Sequence, residues 1–142
     1  MSEDPARDGS APLLDHLILR VADPQASLRF YREVFGFESE HVAACAFRIN
    51  AHCIVDLLRH SAPERQHLAF AFDRHGFDAV LARLRARELA YGGAPFARDS
   101  QADALAPGAR GWARSLYFYD PDGHNLELRC YGETASTTET QT

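Results

Sequence analysis

Two stretches of alternating apolar and polar residues each lead into an amphipathic segment. The first pair is DHLILRVAD followed by SLRFYREVFGFE, and the second is QHLAFAFD followed by FDAVLARLRARELA. A period of two predicts a strand, and apolar spacings of three and four predict a helix. Asp23-Pro24 indicates where the first helix starts, and Gly36 indicates where it ends. Each pair therefore predicts a strand that leads into a helix.

Three shorter extended segments follow each predicted helix. In the first half they lie near residues 37–41, 46–49 and 53–58, and in the second half near 89–91, 115–119 and 125–130. The order is βαβββ in both halves, and an internal repeat of this kind strongly constrains the architecture. We predict an α+β fold of two βαβββ modules that form a cupped, partly open mixed sheet around a cavity.

The repeat also sets the predicted domain limits. With 142 residues, of which 46% are hydrophobic, the chain can bury the core of one modest domain. Both ends are small, polar and aperiodic, which is typical of disorder. The predicted segments are a disordered N-terminus over 1–12, a single domain over 13–131 with modules 13–60 and 64–131, and a disordered tail over 132–142.

Polar side chains recur at equivalent places in the two predicted modules. His16 and His67 each lie at the start of a module's first strand and are each followed by leucine. Asp56 and Glu127 each lie between apolar residues in a module's last strand. Because strand side chains alternate between two faces, all four should lie opposite the apolar residues that pack against the helices. We therefore expect the histidines and carboxylates to face the cavity.

Composition and charge exclude several classes of function. A net charge of −5 and the lack of a basic helix argue against a nucleic-acid partner. All 15 basic residues are arginine, which excludes a lysine Schiff base or a lysine general base. No apolar run is long enough to span a bilayer, and the N-terminus has no secretion pattern, so we expect no membrane partner and a cytoplasmic location. The three cysteines, Cys45, Cys53 and Cys130, form no CxxC motif. We expect them to be reduced, buried thiols.

Two stretches resemble the vicinal oxygen chelate superfamily, which includes glyoxalase I, fosfomycin thiol transferases, extradiol dioxygenases and metal-free bleomycin-binding proteins. DHLILRVADPQASLRFYREVFGFE resembles the superfamily's opening strand and helix, and SLYFYDPDGHNLELR resembles its closing hairpin. The resemblance covers nearly all of residues 13–131. It implies paired βαβββ modules around a divalent metal, a small-molecule substrate and a homodimer.

The resemblance also implies a set of metal ligands. The superfamily's usual ligands lie at the positions of His16, His67 and Glu127, and the glyoxalase I pattern adds Asp56 as a fourth. The implied cofactor is one divalent ion, whether nickel, zinc, cobalt, manganese or iron. Two imidazoles and a carboxylate leave coordination positions open, which suits Lewis-acid or oxygen-activating chemistry. His124, in the predicted turn, is expected to be exposed and to have no part in the site.

Glyoxalase I is the nearest comparison. It places an arginine four residues after its first histidine to hold the carboxylate of glutathione, and Arg20 stands at that position. The resemblance implies that Glu127 or Asp56 would be the catalytic base. The predicted function is metal-dependent isomerase or lyase chemistry on a small oxygen-chelating substrate, such as a glutathione hemithioacetal.

Other members of the superfamily remain as alternatives. Extradiol dioxygenases share the LY-x-x-DP-x-G ending and a catalytic tyrosine at the position of Tyr117, but the histidine they use upstream is missing from APGARGWAR. A metal-free drug-binding or resistance protein would lack the ligand set. Fosfomycin thiol transfer is disfavoured because that chemistry uses a lysine. The segment 96–112 is either a lid that brings Arg110, Trp112 and Arg114 to the substrate or a plain surface excursion.

Overall fold

The computed structural model describes residues 11–40 and 45–132. The chain divides into two compact units, Met1–Pro63 and Glu64–Thr142. The division falls within the Ser61–Glu64 segment between the predicted modules. The disorder predicted for 1–10 and 133–142 lies outside the described residues.

Unit 1 consists of a four-stranded mixed sheet and one helix. The sheet order is β1-β4-β3-β2, with β1 parallel to β4 and the other pairs antiparallel. The helix continues over Tyr31–Phe35 in π-helical turns. The elements are β1 (His16–Val21), α1 (Pro24–Phe30), β2 (Glu38–Ser39), β3 (Ala46–Arg48) and β4 (Ile54–Arg59).

Both ends of the first helix are set by local chemistry, as the sequence predicts. The Asp23 carboxylate accepts hydrogen bonds from the backbone N–H groups of Gln25 and Ala26, and proline occupies the first helical turn. The helix ends at Gly36, whose φ of 81° is the left-handed conformation that favours glycine. The helix then buries Tyr31, whose ring stacks on Phe47 of β3 at 4.5 Å between centroids.

Unit 2 consists of a five-stranded mixed sheet and one helix. The sheet order is β5-β9-β8-β6, with β7 added along β8, and β5 is parallel to β9. The helix begins at the capping carboxylate of Asp73 and buries one apolar stripe. The elements are β5 (His67–Ala71), α2 (Arg74–Ala86), β6 (Tyr91–Gly92), β7 (Leu105–Gly108), β8 (Gly111–Tyr119) and β9 (Asn125–Cys130).

The α+β class and the mixed sheets are confirmed, with one departure in the second repeat. Residues 105–108 form an extra strand, and β8 starts at Gly111 rather than near Ser115. The two differences have one cause, because β7 pairs antiparallel with the early part of β8 and extends it. Within the described residues, no helix is long and apolar enough to cross a membrane.

The alternation of the first strand in each unit leaves one face of each sheet free of helix. In β1, Leu19 and Val21 are buried whereas His16, Ile18 and Arg20 are exposed. In β5, Phe70 is buried whereas His67, Ala69 and Ala71 are exposed. These are the faces that the sequence predicts for the histidines.

The cysteines are free, as predicted, and their surroundings make them poor nucleophiles. Cys53 and Cys130 are buried, and Cys45 is half-buried with its Sγ donating to the Pro24 carbonyl at 3.3 Å. Burial raises the thiol pKa of both Cys45 and Cys53, because it disfavours the charged thiolate.

We therefore expect slow modification of the native protein by a thiol reagent at pH 8, and rapid modification of three thiols after unfolding. Because the raised pKa keeps the thiols of Cys45 and Cys53 protonated, the rate for the native protein should rise as the pH is raised above 8. The measurement is the time course of colour release from a disulfide reagent with and without denaturant. Fast reaction of a native thiol at pH 8 would contradict this description of the core.

Candidate metal centre

The helix-free face of unit 2 brings together three of the predicted site residues. Glu127 on β9 pairs in register with Ala69 of β5 on one side and with Tyr117 of β8 on the other. His67 lies two residues before Ala69 and points to the same face. The sheet thus places an imidazole, a carboxylate and a phenol side by side.

Glu127 is a buried carboxylate with a polar side chain close to each oxygen. It is 5% exposed. Its Oε1 lies 3.2 Å from Nε2 of His67, and its Oε2 accepts a hydrogen bond of 2.6 Å from Nη1 of Arg129. A buried carboxylate without such partners would be strongly disfavoured, so the environment of Glu127 is built around its charge.

The hydrogen bond of His67 to the backbone indicates which ring nitrogen carries the proton and which presents a lone pair to Glu127. Nδ1 lies 3.0 Å from the backbone carbonyl oxygen of Asn125, which can only accept, so Nδ1 carries the proton. In the neutral ring Nε2 is then an acceptor, and it faces the acceptor Oε1 of Glu127 at 3.2 Å. Two acceptors at this distance need a proton or a cation between them.

The spacing of these two atoms fits a metal ion. Nitrogen and oxygen ligands lie about 2.0–2.2 Å from zinc, so two ligands at a right angle are about 3 Å apart. A ligating histidine that donates its other ring N–H to a carbonyl or carboxylate is the usual outer arrangement of such sites. His67 and Glu127 therefore present two donor atoms at a separation that one divalent ion could bridge.

Tyr117 is held as a neutral phenol beside this pair. Burial raises the pKa of Tyr117, and the negative charge of Glu127 and the hydrogen bond to it raise the pKa further. Its ring stacks towards that of His67 with 6.4 Å between centroids. Tyr117 can therefore act as a proton donor on the same face as the carboxylate.

Arg129 is a further member of this cluster, and it is absent from the site residues predicted from the sequence. It is 4% exposed, and Glu127 is one of five groups that accept its hydrogen bonds. Although burial lowers the pKa of Arg129, the hydrogen bonds and charge of Glu127 and Tyr131 outweigh burial and the pKa is raised. The available signal was strand alternation, because Arg129 lies two residues after Glu127 and so shares its face.

In unit 1 the helix-free face carries the remaining predicted ligands. Asp56 of β4 pairs in register with Ile18 of β1, and its charge acts on His16. Nδ1 of His16 lies 2.7 Å from the Asp15 carboxylate, so Nδ1 is the ring nitrogen that this contact occupies. Arg20 lies on this face as well. In both histidines, Nδ1 thus contacts an oxygen acceptor.

The structure places Arg114 on the opposite side of its sheet from Glu127. It bonds to the Asp78 carboxylate of α2 at 3.0 Å, and its guanidinium lies 4.1 Å from the ring centroid of Phe77. Arg114 is an even-numbered residue of β8, whereas Tyr117 is odd-numbered, so alternation puts them on different faces. This differs from the predicted placement, and Arg114 contacts the helix instead.

The other two residues predicted in this segment lie at the β7–β8 hairpin. Arg110 lies over the ring of Tyr131 at 4.7 Å, next to the hydrogen bonds of Arg129. Trp112 is 60% exposed in its pairing with Pro107. Arg110 is therefore the predicted arginine that lies beside the cluster around Glu127.

The expectation that His124 is exposed is wrong, because it is fully buried. Its Nδ1 accepts the backbone N–H of Gln66 at 2.9 Å. It lies near Asp120 and Asp122, but Asp120 Oδ1 accepts the backbone N–H groups of Asp122 and His124 at 2.9 Å each. These bonds are those of a side-chain-capped turn, so the cluster is accounted for by the hairpin.

Comparison with known proteins agrees with this architecture. The family described as "Glyoxalase/Bleomycin resistance protein/Dioxygenase superfamily" matches residues 13–128. A solved structure named Oxidase ChaP-H2 is 29% identical over 84% of this chain and 94% of that chain, with a TM-score of 0.72. A glyoxalase/dioxygenase from Nostoc punctiforme is 25% identical over 87% of this chain and 94% of that chain, with a TM-score of 0.63.

A more distant structure shows the shared fold alone. The fosfomycin resistance protein FosX from Listeria monocytogenes is 23% identical over 84% of this chain and 91% of that chain, with a TM-score of 0.59. The similar structures therefore include an oxidase, a glyoxalase/dioxygenase and a fosfomycin resistance protein, on one α+β scaffold.

The contact between His16 and Asp15 predicts how metal binding depends on pH. The hydrogen bond and charge of Asp15 raise the pKa of His16 above its ordinary value of 6.5, with a smaller contribution from Asp56. Protons should therefore compete with a metal for His16 at a higher pH than for an ordinary histidine. Asp15→Asn should move the loss of affinity for Mn²⁺ to lower pH, measured by titration between pH 5 and 8. Coincident pH profiles would show that His16 does not bind the ion.

Proposed function

The chain belongs to the Glyoxalase/Bleomycin resistance protein/Dioxygenase superfamily, and from this membership we propose that it is a metal-dependent enzyme acting on a small substrate with two adjacent oxygens. One observation carries the proposal. His67 Nε2 and Glu127 Oε1 approach to 3.2 Å while Nδ1 of the same ring is committed to a backbone carbonyl. With the His67 ring neutral, that arrangement directs one lone pair of Nε2 and one of Oε1 at the same point.

The proposed ligands are His67 and Glu127 of unit 2, together with His16, the first-strand ligand predicted from the sequence. Asp56 is the proposed fourth ligand. The bound ion would supply Lewis acidity or oxygen activation at its open positions. The carbonyl on His67 and the carboxylate on His16 support this assignment, because both hold Nδ1 and leave Nε2 for the metal.

The proton chemistry is assigned to Tyr117. Arg129 donates to one oxygen of Glu127, Oε2, so the carboxylate is held in place and Oε1 is left facing His67. Tyr117 is buried, protonated and adjacent to Glu127 in the register of the sheet. We propose that its phenol donates a hydrogen bond, and then a proton, to a substrate oxygen.

An oxygen-dependent reaction is the first candidate for this site. Two histidines and one carboxylate with open positions are typical of non-haem iron oxygenases. Tyr117 lies beside Glu127, at the position where the sequence resembles the tyrosine of extradiol dioxygenases. A similar structure at 29% identity bears the name of an oxidase. The proposed substrate is a dihydroxy-aromatic compound or an enediol, and the proposed ion is iron.

Glyoxalase-type isomerisation is the second candidate, and unit 1 supplies its support. Asp56 lies on the face of His16, where its charge acts on the imidazole, as the four-ligand pattern requires. Arg20 lies on the same face and has the fork geometry that binds carboxylates, such as those of glutathione.

Two further expectations are proposed with the activity. We propose a homodimer, which is supported by the frequent dimers of the superfamily. We also propose a reducing, cytoplasmic location, which is supported by the three free cysteines.

The ligand role of Glu127 is tested by Glu127→Gln. The amide has nearly the same shape but no charge, so we expect the affinity for Fe²⁺ or Mn²⁺ to fall by more than about 100-fold. Metal content per chain and titration of the chelator-treated protein are the measurements. Glu64→Gln removes an exposed carboxylate of the same unit and should bind as the wild type does.

Full metal occupancy in Glu127→Gln would remove Glu127 from the site. A wild-type chain that takes up no metal at all would instead indicate the metal-free binding protein of the same superfamily.

The reaction class is tested with Tyr117→Phe. Loss of the phenolic proton donor should lower kcat by roughly 10²- to 10⁴-fold and leave metal affinity unchanged. Oxygen uptake by the iron-loaded protein with a panel of catechols would support the first candidate. Turnover of a hemithioacetal by the nickel- or zinc-loaded protein, without oxygen, would support the second. Equal kcat in Tyr117→Phe would show that another group delivers the proton.

A further inference from the structure

We infer that Arg129 is a positioning residue that ties the β7–β8 hairpin to the metal ligand Glu127. The inference rests on the proposed metal site and identifies what orients it. It also assigns a role to the hairpin inserted in the second repeat.

The guanidinium of Arg129 is shared between the hairpin backbone and the carboxylate. Nη2 donates to the carbonyl oxygens of Ala106 and Gly111, at 3.1 and 2.7 Å. Nη1 donates to Glu127 Oε2 at 2.6 Å and to Ser115 Oγ at 2.9 Å. Because the guanidinium is rigid and planar, a shift of the hairpin carbonyls moves the donor that holds Glu127.

The remaining donor completes the cluster. Nε of Arg129 donates to the Tyr131 hydroxyl at 3.0 Å, and the Tyr131 ring packs against the guanidinium with 5.2 Å from Cζ to the centroid. Every nitrogen of the side chain thus has an acceptor. A buried guanidinium with all its nitrogens bonded has one orientation, which is what a positioning group requires.

Close packing of the hairpin strengthens this coupling. A Cβ added to Gly108 would lie 2.5 Å from Cζ of Arg129 and 2.6 Å from Nη2. The backbone of β7 therefore lies directly against the guanidinium, and glycine is needed there for the close approach. An alanine at position 108 would push on Arg129 without changing its charge or its donors.

The arrangement determines which oxygen Glu127 offers to the metal. Arg129 holds Oε2, so the carboxylate plane is set and Oε1 is directed to His67 Nε2 at 3.2 Å. Charge neutralisation alone would not need five acceptors or contact with the hairpin. Groups that orient a ligand from behind in this way typically contribute 10- to 100-fold to metal affinity.

The segment 96–112, interpreted from the sequence as a lid or a surface excursion, contacts β9 at more than one point. The segment is held to β9 at a second point, where Arg98 Nη2 donates to the side-chain oxygen of Asn125 at 2.9 Å. The carbonyl of Asn125 is the group that holds His67. The segment is therefore bonded at two points to the strand that carries the proposed ligand.

The test uses Co²⁺ binding to the full chain after chelator treatment, followed by visible absorption. Gly108→Ala and Arg129→Lys should each lower Co²⁺ affinity by roughly 10- to 100-fold and change the d–d bands, because the position of Oε1 changes. Arg129→Lys keeps the charge but loses the fork, so it separates orientation from neutralisation. Gly132→Ala is the matched control, because a Cβ there meets nothing within 4 Å.

Thermal unfolding of each metal-free variant accompanies the titration. If Gly108→Ala does not fold, the Co²⁺ affinity and spectrum of Arg129→Lys test the inference. Wild-type Co²⁺ affinity and spectrum in the folded variants, with only a lower Tm, would overturn the inference and leave Arg129 a structural residue. Absence of Co²⁺ binding in the wild type would overturn the proposed function and the inference together, which is a distinct result.

Discussion

A carboxylate buried on the face of a sheet must be paired, and this requirement organises unit 2. Glu127 lies on the central part of β9, 5% exposed, where an unpaired negative charge would be costly. Arg129 and Tyr117 each supply a hydrogen-bond donor from a neighbouring position of the sheet, and His67 lies beside the second oxygen. Removing one partner of such a buried pair typically costs about 3–5 kcal/mol. Apolar side chains would fill this volume at lower cost, so the charge is better explained by function than by stability.

The topology makes this cluster available. In each unit the first strand runs parallel to the last strand and pairs with it, so the first residues of the two strands lie side by side. This pairing joins His67 to β9 in unit 2 and brings Asp56 next to the strand of His16 in unit 1. A helix covers the other face of each sheet and buries the intervening apolar residues. The same local pattern thus produces one face covered by a helix and one face that carries polar side chains in each unit.

The β7–β8 hairpin is the main difference between unit 2 and unit 1. Its backbone carbonyls accept two of the hydrogen bonds of Arg129, and they thereby satisfy a buried cation that would otherwise need water. The hairpin is therefore part of the electrostatic balance around Glu127. A change in the length of the hairpin, or a substitution of Gly108, would shift Arg129 and with it the Glu127 carboxylate. Variation in this hairpin is therefore one physical route by which proteins of this fold can differ in chemistry.

Alternation and internal repetition determined much of this protein from the sequence alone. The period of two placed His16, His67 and Glu127 opposite the apolar positions, because that placement depends only on the pleat of each strand. Tertiary structure decided the outcome wherever long-range pairing was involved. The extra strand β7 forms by pairing with β8, and only that pairing buries Arg129 beneath the hairpin. Arg114 bonds to Asp78 of α2, and the buried His124 bonds to Gln66. The sequence did not predict these contacts because the partners lie far apart along the chain.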